Sequence, residues 1–207
     1  MLLAAGEGSR FGRPKALVEL EGQTLAERGL GMLRAGGADP LLIVTGAAEV
    51  ELDPDHRVRT VRNEEWRTGM GSSLRAALRA LSDPDLGPEA GPEAGPEVGA
   101  AVVALADQPL VGAEAVSRLI AAYQAGAGAA VAAYHGRPRN PVLLAREHWP
   151  EVIAMATGDQ GARAFLRARP ELVTLVECGD TGRPDDIDTP ADLERIAVRK
   201  PGSPSCG

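Results

Sequence analysis

Apolar and polar positions alternate along this chain in two distinct rhythms. Continuous apolar runs stand at Leu2–Ala5, Pro40–Thr45 (PLLIVT) and Gly99–Ala106 (GAAVVALA), the mark of strands buried on both faces. Arg57–Val61, Ala129–Tyr134, Pro141–Leu144 and Leu172–Glu177 also read as strands, and Val18–Glu21 as a brief extended piece. Between them the apolar spacing becomes helical, as at Leu74, Leu78 and Leu81 within Gly71–Leu81. Thr24 stands where an N-cap would for a helix reaching about Ala35, closed by Gly36-Gly37. Further helices are predicted over Ala113–Tyr123, over Ala145–Ala156, across Arg163 and Arg167, and after Asp186-Ile187-Asp188-Thr189-Pro190. His135–Asn140 reads as a polar loop. Strands alternating with helices predict an α/β fold: a single domain of three α/β/α layers around a mostly parallel, mixed, Rossmann-like sheet.

Two segments fall outside this pattern. Asp83–Glu97 reads DPDLGPEAGPEAGPE, with Leu86 its only large apolar side chain, and is expected to be a flexible insertion. The domain is expected to span 1–198, with a disordered tail over 199–207. The first strand is short beside the usual ~5–6 residues.

The stretch with most chemistry is Met1–Leu17, MLLAAGEGSRFGRPKAL. The apolar run stops at Gly6, and a loop follows with Gly6, Gly8, Gly12, Ser9, Arg10, Arg13 and Lys15. Glycines let backbone N–H groups approach a ligand, and successive N–H groups in a tight turn form an anion-binding concavity. The alternative is a glycine-rich surface turn. A P-loop is excluded, because Gly12 is followed by Arg13-Pro14 and no Ser or Thr follows Lys15. The dinucleotide fingerprint fails at Phe11, where it needs glycine. The chain has 22 Lys plus Arg, yet its lysines are only Lys15 and Lys200. Lysine in this loop supplies the compact point charge that suits a phosphate.

Composition narrows the partners. With 207 residues, 44% hydrophobic and 25% charged, the chain has the make-up of a soluble globular domain. A net charge of −7 argues against nucleic acid or anionic membrane as the main partner. A polyanionic nucleotide would then be held by a local cationic loop, with a metal ion, against the global field. Cys178 and Cys206 make no disulfide framework, and no apolar run approaches the ~20 residues of a membrane span. No basic n-region opens the chain, so a cytoplasmic location is expected. His56, His135 and His148 are scattered and read as structural or surface residues.

LLAAGEGSRFGRPKAL resembles the signature L-A-A-G-x-G-x-R-[MF]-G-x-x-K of the nucleotidyltransferases that mature the molybdenum cofactor. More narrowly, it resembles the molybdenum cofactor cytidylyltransferases within the sugar-nucleotidyltransferase-like fold. The resemblance implies a nucleotide site at Leu3, Ala4, Ala5, Gly6, Gly8, Ser9, Arg10 and Lys15, with Asn63, Gly71, Ser72 and Ser73 facing the base. A bare GMGSS is otherwise a helix cap. LAAG with a G-M-x-S-S-L run goes with CTP in the family, and LAGG with GTP.

Asp107 ends the Gly99–Ala106 strand in LADQP, the edge where ligands of open α/β sheets sit. A carboxylate beside phosphates needs a cation between them, so Asp107 reads as a Mg²⁺ ligand, though a strand-end Asp also caps turns. The resemblance gives Asp107 that role, and a second metal carboxylate at Asp188 of D-T-P-x-D-L, with Asp186 the fallback. Asp-Thr-Pro is equally a helix start with Pro at N1. Acceptor contacts are implied at Gln108, Arg137, Asn140, Pro141, Gly158, Asp159 and Gly161. Here the chain departs from the family's G-x-P-G-H-P and reads GRPRNP.

The implied reaction transfers CMP from CTP to a phosphorylated acceptor of the molybdopterin type, releasing pyrophosphate, with Arg10, Lys15 and Asp107 catalytic and a molybdoenzyme as the client. A GTP-using or sugar-phosphate transferase, and a non-catalytic cofactor carrier, are the alternatives.

Overall fold

The computed structural model describes residues 1–52, 58–82 and 98–198. The expectations for the 83–97 insertion, the 199–207 tail, Arg57 and His56 lie outside these residues.

A seven-stranded sheet is built from β1 (Leu2–Leu3), β4 (Leu41–Thr45), β5 (Val58–Arg62), β6 (Ala100–Leu105), β7 (Ala129–Tyr134), β8 (Arg137–Ala145) and β9 (Val173–Glu177). The spatial order is β5-β4-β1-β6-β8-β7-β9. Only β8 opposes its neighbours β6 and β7; the other pairings are parallel. The sheet is therefore mostly parallel and mixed, as the alternation of elements predicts.

Successive residues of a strand point to opposite faces, so each buried strand feeds two cores. Leu2, Ile43, Val102, Ala104, Ala130 and Leu143 pack with α1 (Leu25–Ala35) and α3 (Ala113–Gln124) through Leu30, Leu33, Val116 and Leu119. Leu3, Leu42, Val44, Val103, Val131 and Leu144 pack on the other face with α2 (Met70–Ser82), α4 (Trp149–Met155) and α5 (Arg163–Ala168). Trp149 is fully buried there and donates Nε1–H to the Leu144 carbonyl at 3.0 Å. A third cluster joins Val18, Leu20, Leu25 and Ile187, with Phe11 from the glycine loop and Leu193 and Ile196 from α6 (Pro190–Val198) against it. The loop is thus backed by α6.

The Thr24 cap forms as expected: its hydroxyl accepts from Glu27 N–H, and the Glu27 carboxylate accepts from Thr24 N–H, a reciprocal capping box. Three boundaries differ from expectation. His135–Asn140 is not a six-residue loop. β7 ends at Tyr134, and a tight turn of His135 (φ 54°) and Gly136 (φ 74°) leads straight into β8. The Glu177 carboxylate accepts from His135, Gly136 and Gly179 N–H, which holds the turn and keeps its own pKa low. Arg137–Asn140 read as loop because these strand residues are solvated. The Ala145–Ala156 helix likewise shortens. Ala145 completes β8, Arg146–His148 form a 3-10 turn, and α4 opens at Trp149-Pro150. Finally, Val18–Glu21 is half of a small hairpin, β2 (Glu19–Leu20) and β3 (Gln23–Thr24), turning at Glu21 and Gly22, both with positive φ.

Candidate active site

β1 is only two residues long, but the chain beyond it stays tethered. Leu3 C=O accepts from Ala106 N–H at 3.1 Å, Ala4 N–H donates to Val44 C=O at 2.9 Å, and Ala5 C=O accepts from Ala47 N–H at 3.0 Å. Leu3, Ala4 and Ala5 are therefore a buried floor at the carboxyl edge of the sheet. From there the loop rises into solvent, with Gly6, Ser9 and Arg10 exposed. Gly8 (φ 63°) folds it back: its carbonyl accepts from Phe11 N–H at 2.8 Å and Gly12 N–H at 2.9 Å. Among the described residues Arg10 has no ion-pair partner, so its guanidinium is free to meet an anion.

Lys15 is not free. Its ammonium donates to Asp107 Oδ2 at 2.9 Å and Asp188 Oδ1 at 2.6 Å. Burial opposes its charge, but attraction to Asp107 and the hydrogen bonds it donates to both carboxylates outweigh that and hold its pKa above the ordinary lysine value. Asp107 follows β6, and its carbonyl accepts from Ile187 N–H at 2.8 Å. Gln108 reaches the same segment, donating Nε2–H to Asp186 Oδ1 at 2.8 Å and Pro184 C=O at 3.4 Å. Residues 183–188 are thereby strapped across the carboxyl end of β6. Asp192 completes the strap: its Oδ2 accepts from Asp188 N–H, Thr189 N–H and Thr189 Oγ1–H, which pull its pKa down to about 2.

The structure therefore brings Asp107 and Asp188 to one cation, with Asp186 turned to Gln108. Asp186 is raised above the usual carboxylate range, by desolvation and by the like charges of Asp107 and Asp188. The Lys15 ammonium stands in for a positive ion at the point where the two carboxylates converge. Two hard oxygen donors fit a small divalent ion that keeps several ligand positions for water and phosphate oxygens. Among the described residues no group of three or more His, Cys, Asp or Glu encloses a metal completely, so such an ion would need those outer ligands.

Asn63, Ser72 and Ser73 also meet, but bond to each other. Asn63 Nδ2 donates to Ser72 Oγ at 2.8 Å and Ser73 Oγ at 3.0 Å, and its Oδ1 accepts from Glu65 N–H at 3.0 Å. Gly71 lies against the Ala156–Thr157 backbone, where a Cβ would stand 2.8 Å from Thr157 N. Asp159 caps α2, accepting from Met70 N–H at 3.3 Å, and Gly158 abuts Gly69. Asn140 and Gly161 line a shallow open depression with Leu3, Leu105 and Arg163, so residues expected on the nucleotide and acceptor sides share one surface. Pro141 is in β8 beside it, while Arg137 lies exposed next to the hairpin turn. His135 sits in that turn, and His148 packs against the Phe165 ring. Cys178 is a buried free thiol.

Sequence reasoning missed what Gln108 and Asp192 do here. For Asp192 the signal was present, since Thr189-x-x-Asp192 has capping-box spacing. For Gln108 none was, because its partners lie 76 and 78 positions away.

The sequence profile of the MobA-like NTP transferase domain matches residues 1–173. The chain belongs to that family. The domain is 35% identical to the nicotine blue oxidoreductase of Paenarthrobacter nicotinovorans, over 95% of this chain and 94% of that one. It is 40% identical to a probable molybdenum cofactor guanylyltransferase of Opitutus terrae over 38% of each chain. Among solved structures, Rv0371c of Mycobacterium tuberculosis in complex with manganese is 25% identical, covers 96% of this chain and 97% of its own, and has a TM-score of 0.69. The domain is thus a nucleotidyltransferase-family protein by sequence and by α/β fold. Among the described residues, no helix is long and apolar enough to cross a membrane.

Proposed function

We propose that this MobA-like domain transfers CMP from CTP to a phosphorylated acceptor of the molybdopterin type, with a divalent metal at Asp107 and Asp188. The observation that carries the reading is the convergence of both carboxylates on Lys15 beside the glycine loop. A terminal phosphate oxygen of the acceptor attacks the α-phosphorus in line. The new O–P bond forms as the α–β bridging bond breaks, and pyrophosphate leaves. The loop amides and Arg10 hold the phosphates, Lys15 neutralises charge on them, and the 183–188 strap fixes Asp188. A bound Mg²⁺ or Mn²⁺ would supply Lewis-acid stabilisation of the phosphoryl charge. Manganese in the Rv0371c structure supports a divalent ion. The LAAG and GMGSSL runs support cytosine, and the guanylyltransferase relative supports the acceptor class.

A second reading rests on the 35% identical relative, which is named an oxidoreductase. On that reading the protein would carry out a redox reaction, and not through the dinucleotide fingerprint, which fails at Phe11. Both readings are separated by incubating the protein with each nucleoside triphosphate, molybdopterin and Mg²⁺ or Mn²⁺, and following pyrophosphate, beside an assay of the absorbance of nicotine blue dye with a supplied electron donor or acceptor. Pyrophosphate release with CTP supports the transferase. Release with GTP alone corrects the base. Turnover of the dye without pyrophosphate replaces the transferase reading.

A further inference from the structure

Lys15 is committed in a way that a phosphate-binding lysine need not be. Two of its three ammonium donors are already taken by the carboxylates that would hold the metal, while the neighbouring Arg10 and Arg13 have no ion-pair partner among the described residues. The side chains involved are 19%, 27% and 47% exposed, so the pair is open enough for exchange with ions. A divalent ion on the same two oxygens would lie beside the ammonium, like charge against like charge, and one of them must leave. Phosphates offer the ammonium another partner. The glycine loop stands directly against the main chain of Lys15, since a Cβ on Gly8 would approach Lys15 N to 3.1 Å.

We propose that Lys15 is an internal counter-cation, closing the Asp107–Asp188 pair to free metal and releasing it when nucleotide phosphates draw the ammonium away. Metal and nucleotide then bind cooperatively, each raising the affinity of the other by the same factor. The proposal rests on the metal reading given above, but concerns the nucleotide-free protein, where no reaction occurs.

The test is Mn²⁺ binding to the whole protein without nucleotide, followed by the electron paramagnetic resonance of free Mn²⁺. Wild type is compared with Lys15→Met, Lys15→Gln, Lys15→Arg and Asp107→Asn, and the melting temperature of each with and without Mn²⁺ shows that it is folded. Lys15→Met and Lys15→Gln should bind Mn²⁺ more tightly than wild type, by roughly 5–150-fold, the usual span of such couplings. Lys15→Arg should stay as weak as wild type, because its charge still occupies the carboxylates. Mn²⁺ should also raise the melting temperature of Lys15→Met more than that of wild type. If neutral variants bind Mn²⁺ no better than wild type while Asp107→Asn lowers binding, the counter-cation role is wrong and the metal site stands. If no variant shows binding that depends on Asp107, with or without CTP, both ideas fall.

Discussion

A single methyl group at Gly8 should disable the glycine loop while sparing the fold. A Cβ there would lie 2.1 Å from the Arg13 carbonyl oxygen and 3.1 Å from Lys15 N, in a backbone with φ +63°. Relief of that contact means moving main chain, because no flexible side chain stands in the way; the turn must open by about 1 Å to reach ordinary van der Waals separation. The left-handed conformation adds about 1–2 kcal/mol for a residue with a Cβ. Since the loop is largely solvated, opening it exposes little core, and the melting temperature should fall by only about 2–8 °C. Function should suffer more. Displacing phosphate-holding amides by about 1 Å costs on the order of 10²-fold in kcat/KM, or about 2.7 kcal/mol of transition-state stabilisation. Gly12→Ala is the control: it shares the positive φ (81°), but its Cβ would meet nothing within 4 Å. It should lose stability much as Gly8→Ala does, yet keep most activity. Kinetics by pyrophosphate release and nucleotide affinity by calorimetry decide the matter. Equal kcat/KM for Gly8→Ala and wild type would refute the phosphate seat, and equal losses at Gly8 and Gly12 would refute the contact argument.

Three other perturbations have defined outcomes. Asn63→Ala removes two buried hydrogen bonds and a half-buried one at about 0.5–1.5 kcal/mol each, so urea denaturation should show a loss of about 2–4 kcal/mol; unchanged stability would mean that this network contributes nothing. Trp149→Ala should cost about 3–5 kcal/mol by emptying the core under α4 while leaving Mn²⁺ affinity intact, which a denaturation midpoint and a metal titration together check. The Asp192 carboxylate has a folded pKa of about 2 against an ordinary 3.8, so its contribution is present above pH 3.8 and lost as pH falls towards 2. Asp192→Asn should flatten that part of the stability-against-pH curve and raise the Mn²⁺ concentration needed for half-saturation, by loosening Asp188.

The legible parts of this fold were those whose cause is local. PLLIVT and GAAVVALA carry the mark of strands buried on both faces, and Thr24, whose partner Glu27 only the structure shows, marked the start of α1. β8 was half hidden because Arg137–Asn140 are extended yet solvated, and polarity alone cannot separate a wet strand from a loop. At the site, Lys15 and Asp107 were readable from loop chemistry and from the strand end. The meeting of Lys15 with Asp188 depends on sheet order, which places β1 beside β6, and on a strap whose ties run from Gln108 and Ile187. Asn63 and Asp159 show the other limit. Each is a polar residue near the expected ligands, but its hydrogen bonds go to the protein itself, and only the packing of α2 against the 157–161 loop reveals that.

Lys15 and Asp188 lie 173 positions apart, and the apolar seam of Val18, Leu20, Leu25 and Ile187 behind them joins the same two parts of the chain. During synthesis at about 5–20 residues per second, the glycine loop therefore leaves the ribosome roughly 9–35 s before the carboxylate it pairs with. Through that period the nascent chain carries a cationic loop with half of its acidic counterpart missing and the back of the loop unsealed. A translation arrest just before Ile187 would leave a chain that holds all seven strands but lacks the strap and the carboxylate of Asp188.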